Sequence, residues 1–130
     1  MSGMINGIRK AKRIAVKENA EVIQSRYSRL LLDLDDFKDL VYYNQSLPYV
    51  TELLAERGYI LKKKDSWKSK SGVGEHVYLM FPKQNKKYFD FPTRLLLEVC
   101  LGSDRKRALF SLMNYLDGEP ESNLLFKPKK

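Results

Sequence analysis

The stretch from Leu61 to Phe81 constrains this chain more than any other. Two apolar, β-prone arms, one from Tyr59 to Leu61 and one from His76 to Phe81, flank a polar segment that holds Gly72 and Gly74. Such a pattern predicts a β-hairpin with a long loop. Once a hairpin occupies the middle of a 130-residue chain, an all-helical bundle is excluded. The hairpin is also chemically unusual. Lys62, Lys63, Lys64, Lys68 and Lys70 crowd its first arm and loop, and Trp67, the single tryptophan, sits among them.

Helical periodicity surrounds the hairpin. Apolar residues from Met4 through Ile8, Ala15, Val22 and Ile23 to Leu30 and Leu31 recur at three- and four-residue steps, which predicts a long N-terminal helix. Its first turns, residues 1–17, read as a semi-detached basic arm carrying Arg9, Lys10, Lys12 and Arg13. Asp33, Asp35 and Asp36 suit the start of a second helix, which runs to Tyr43. Asn44 to Ser46 then reads as a turn, and Ser46 caps a third helix with Pro48 in its first turn. Gly58 stands where a left-handed residue ends that helix.

After the hairpin, Lys83 to Lys87 forms a second basic turn and Tyr88 to Phe91 a short edge strand. Pro92 and Thr93 open a helix with Leu95, Leu96, Val99 and Cys100 on its apolar side. Ser103 caps a last helix with Ala108, Leu109, Leu112, Met113 and Leu116 inward. The expected fold is α+β: a helical N-terminal half, a central antiparallel hairpin with a basic loop, and C-terminal helices. Residues 1–118 form one domain and residues 119–130 a flexible basic tail. From Asp33 to Phe81 the order resembles the winged-helix arrangement, in which a hairpin wing follows a helix-turn-helix. The likeness is architectural, carried by element order alone.

Charge decides the class of partner. Net charge is +8, distributed as +5 over residues 1–30, −4 over 31–60, +5 over 61–90 and +2 over 91–130. Distinct basic faces on either side of an acidic middle point to a polyanion. Lysines neutralise phosphates and an exposed indole stacks on a base. The nucleic-acid candidates are therefore the arm residues, the five hairpin lysines with Trp67, and Arg105, Lys106 and Arg107. Cations at a helix start oppose its dipole, a mild misfit that counts toward a binding role for the last three. Glu52 and Glu56 on the third helix argue against ordinary major-groove readout.

Catalysis finds little support. With one histidine, His76, and one cysteine, Cys100, neither a histidine-rich metal site nor a cysteine zinc cluster is possible. No nucleophile signature occurs. No cofactor, metal or catalytic residue is expected. Cys100 lies in an apolar run and reads as a core residue, and a lone cysteine fits a reducing, cytoplasmic setting. The longest aliphatic runs are three residues, so no membrane span is expected. The sequence thus reads as a small non-enzymatic nucleic-acid-binding protein of regulatory, DNA- or RNA-binding type. The alternative is an adaptor or inhibitor that docks its basic hairpin on an acidic protein surface. Pairing of the Leu109–Leu116 helix across a two-fold axis would make a homodimer.

Overall fold

The computed structural model describes residues 12–17, 20–24, 28–69, 72–82, 88–119 and 124–128. They form a helical segment at 12–17 (α1), then β1 (Ala20–Gln24), β2 (Arg29–Leu34), α2 (Phe37–Ala55), β3 (Lys63–Lys68) and β4 (Glu75–Met80). The helices α3 (Phe91–Cys100) and α4 (Arg105–Leu116) and the strand β5 (Leu124–Pro128) follow. The fold is α+β. β2, β4 and β3 make an antiparallel sheet in that order, while β1 and β5 make a separate antiparallel ribbon.

The predicted N-terminal helix is kept over residues 12–17, and from Ala20 onward strands replace it. Leu30, Leu32 and Leu34 alternate onto one face of β2 and are completely buried, and Leu31 on the other face is buried too. A strand covered on both sides carries consecutive leucines, and such a run mimics helical spacing. The first face packs Leu30, Leu32, Leu34, Val77 and Leu79 with Phe81, Phe89 and Leu101 into the main core.

α2 covers that face as one helix of 19 residues, so the turn expected at Asn44–Ser46 does not exist. Leu40, Tyr43, Leu47, Val50 and Leu54 hold a single helical phase straight past Pro48, and all five pack against the core. Breaking the helix would have rotated half of that stripe into solvent, a loss larger than the one hydrogen bond that Pro48 removes. Burial pushes the Tyr43 phenol up to about 12, with Glu75 adding to the shift. With one helix between β2 and the hairpin, the helix-turn-helix of the winged-helix likeness is missing.

Local signals place the helix ends. The Asp36 carboxylate accepts from the Asp39 N–H at 3.0 Å, and Asp39 accepts in return from the Asp35 N–H at 3.0 Å. Gly58, at φ +89°, ends α2 as expected. Tyr88 to Asp90 is not a strand: Asp90 caps α3 by accepting from the Thr93 N–H at 2.8 Å. Asp104, rather than Ser103, caps α4. Cys100 is exposed, not core. Residues 124–128 are not a free tail, because they pair with β1 from Gln24↔Leu124 to Ala20↔Pro128.

The corner between α3 and α4 seals the outer edge of β2. The buried Glu98 carboxylate accepts from the Leu31 N–H at 2.9 Å. The Ser103 hydroxyl oxygen accepts from the Asp33 N–H at 3.0 Å, and the Asp104 N–H donates to the Asp33 carbonyl at 3.3 Å. These contacts take the place of a fourth strand, and among the described residues β3 is left as the sheet's open edge.

Candidate nucleic-acid interface

The basic hairpin is real, but its lysines do not share one face. β3 carries Lys63, Lys64, Asp65, Trp67 and Lys68, and successive side chains alternate across the sheet. Lys64 and Lys68 lie on one face, opposite Leu79 and Glu75, and Lys62 precedes them with the same parity. Lys63, Asp65 and Trp67 lie on the other, opposite Met80, Tyr78 and His76. Lys62, Lys63, Lys64 and Lys68 are all exposed, so the open edge is flanked by cations on both sides. Lys70 lies outside the described residues.

Trp67 is therefore a strand residue rather than a loop tip, and it is half-buried. Its ring meets the His76 ring edge-on at 5.7 Å. The Lys127 ammonium lies 5.6 Å from its centroid and pairs with the Asp65 carboxylate. That pairing lowers the Asp65 pKa and raises that of Lys127. The ammonium of Lys63 lies over the Tyr78 ring at 5.8 Å.

Lys63, Asp65, Trp67, Tyr78 and Lys127 line a cleft of about 270 Å³ between the sheet and the β1–β5 ribbon. Arg29, Lys63 and Lys127 bring positive charge, Glu21 and Asp65 negative charge, and Trp67 and Tyr78 supply aromatic walls. Arg29, Tyr78 and Lys127 were not singled out by the sequence. The alternation of His76, Tyr78 and Met80 against Val77 and Leu79 was the available signal for Tyr78. Arg29 was hidden by the helical reading of its segment, and Lys127 by its place near the end.

A chain of polar contacts runs from Trp67 across the same face. His76 Nε2 lies 3.3 Å from Asp33 Oδ1, and Arg107 reaches Asp33 Oδ2 at 3.4 Å. The hydrogen bond with His76, and after it the charge of Arg107, holds the Asp33 carboxyl below its usual value. Arg107 is thus tied into the fold instead of projecting to a ligand. Arg105 and Lys106 are exposed on α4, where the Asp104 cap offsets their unfavourable place in the dipole. Lys12 and Arg13 are exposed on α1, while Ala15 between their turns is buried and docks that segment. Arg9 and Lys10 lie outside the described residues.

Among the described residues no group of three or more His, Cys, Asp or Glu side chains is arranged to hold a metal ion. No described helix is long and apolar enough to cross a membrane. No protein-family model, no curated protein and no solved structure matches this chain.

Proposed function

We propose that the protein is a non-enzymatic nucleic-acid-binding protein that takes up its polyanion along the open edge of β3. The supporting observation is the placement of Lys62, Lys63, Lys64 and Lys68 on that edge, next to the cleft walled by Trp67 and Tyr78. A six-residue strand extends about 20 Å, long enough to follow several phosphates. Lysines supply affinity without reading sequence. The aromatic cleft beside them offers a surface for an unpaired base, for which the Lys127 ammonium must move off the indole. A reducing, cytoplasmic setting suits the exposed thiol of Cys100.

Fluorescence anisotropy with labelled duplex DNA, single-stranded DNA and RNA across a salt series tests this reading. The comparison protein carries Gln at Lys62, Lys63, Lys64, Lys68 and Lys70. Tight binding is expected, with a steep salt dependence whose log–log slope flattens by about 3 to 4 in the variant on a single strand. Weak binding with the same slope in both proteins would overturn it.

A further inference from the structure

α4 is turned inside out. Its inward side carries the buried Ser111 and the half-buried Ala108 and Leu112. Its solvent side carries Leu109 at 57% exposure, Phe110 at 69%, Met113 at 44% and Leu116 at 66%. At 3.6 residues per turn, Leu109, Met113 and Leu116 fall within about 60° of arc, and Phe110 borders them. Leu109, Met113 and Leu116 are residues the sequence reads as inward, and the described residues leave them exposed. An apolar stripe of this kind marks an interaction surface.

The charges at its ends say what fits. Lys106 lies on the same side of the helix as Phe110 and Met113 in the first turn, and Asp117 lies on that side at the last. Both are exposed. The level midway between Lys106 and Asp117 is also the level midway between Phe110 and Met113. An antiparallel copy of α4 placed about a two-fold axis at that level sets Lys106 against the partner's Asp117, and Asp117 against the partner's Lys106. The same operation sets Phe110 against the partner's Met113, a favourable sulfur–aromatic pair. The surface is self-complementary in its end charges and in the levels of Phe110 and Met113, as an isologous interface requires.

From this we infer that the occupant of the α4 face is a second copy of the chain, paired antiparallel through Phe110, Met113 and Leu116 and closed at each end by Lys106 and Asp117. One helix per protomer makes a small interface, with a dissociation constant in the micromolar range.

Sedimentation equilibrium of the full chain over a wide concentration range tests this. The mass is expected to rise from 15.2 kDa toward twice that value. Met113→Glu, at an exposed position, is expected to stay monomeric with an unchanged circular dichroism spectrum. Lys106→Glu alone and Asp117→Lys alone are each expected to stay monomeric, because each sets like charges together at both ends. Mixed in equal amounts, the two variants restore opposite charges at both ends and are expected to dimerise. A wild-type chain that stays monomeric throughout overturns the inference, and a loss of thermal stability in Met113→Glu would then show the face to be covered within one chain. A dimer indifferent to all three substitutions overturns it as well.

Discussion

The carboxylate of Glu98 accepts a hydrogen bond from the backbone N–H of Leu31 at 2.9 Å, although the two residues are 67 apart in sequence. Both are buried. The contact closes the edge of β2, so its removal leaves a buried donor unsatisfied. Glu98→Ala is expected to cost about 2–4 kcal/mol in urea unfolding, whereas Glu98→Gln, which keeps an acceptor oxygen, is expected to lose less. Equal losses would show that the charge, and not the acceptor, is what the edge needs.

Gly74 and Gly72 stand two residues apart in the hairpin loop and need glycine for different reasons. A Cβ on Gly74 would lie 2.6 Å from the Leu34 carbonyl oxygen, which belongs to the backbone and has little room to give. Gly72 faces open space but has φ +77°. Gly74→Ala is expected to destabilise by about 2–3 kcal/mol and Gly72→Ala by about 1 kcal/mol. Gly72→Asn is expected to cost less than Gly72→Ala, since Asn tolerates the left-handed region. Denaturant midpoints of the three variants check the order.

The carboxylates split into two classes with opposite pH signatures. Asp33, held down by its hydrogen bond with His76, and Asp65, held down by Lys127, have lowered folded pKa values. Each adds stability above about pH 4, and that stability is lost as pH falls through the folded value. Asp35 is raised, first by partial desolvation and then by the field of Asp33, Asp104, Asp39 and Asp36. The fold favours its neutral form, so it adds stability below about pH 4 and withdraws it as pH rises through the folded value. Asp35→Asn is therefore expected to raise Tm at pH 7 and to give no gain at pH 3. Thermal scans at the two values decide it, and a lower Tm at pH 7 would refute the sign.

Lys127 and Trp67 tie the ribbon to the sheet. Lys127→Ala removes a surface ion pair and a cation–π contact, for a stability loss of about 1 kcal/mol. It also uncovers the indole. If the cleft receives a base, Trp67→Ala weakens single-strand binding by about 1–3 kcal/mol, and Lys127→Ala weakens it less than the loss of one cation implies. Anisotropy titrations of both variants at one salt concentration separate the two effects.

Those tests follow the boundary between what sequence reveals and what only packing does. Short-range chemistry was legible: the return arm of the hairpin, the Asp cap of α2, the glycine that ends it, and a helix opening near Pro92; the first arm was not, since the strand lies at Lys63–Lys68 and not at Tyr59–Leu61. Register was not. Cross-strand pairing puts Trp67 beside His76 and Asp65 beside Tyr78, and nothing local specifies which residue of one strand faces which of the other. The consecutive leucines of β2 satisfied a helical template equally well. In α2 the turn-like Asn44–Ser46 outweighed the unbroken stripe from Leu40 to Leu54, although the stripe carries the larger burial energy. For the candidate interface, the cations of the hairpin are visible in the sequence as residues. Their division between two faces, and the part of Arg29 and Lys127 in the cleft, depend on strands the periodicity concealed.

The β1–β5 ribbon has a bearing on the order in which the molecule assembles. Gln24 and Leu124 are paired although they lie 100 residues apart in sequence. A two-stranded ribbon has little stability of its own, and closing so long a loop is entropically costly. The sheet and α2, built from nearer contacts, are expected to form first and the ribbon to clasp on last. In reverse, its amides are expected to exchange with solvent while those of β4 stay protected, which hydrogen exchange checks. One wall of the cleft is thus expected to be the last part of the fold to form and the first to open.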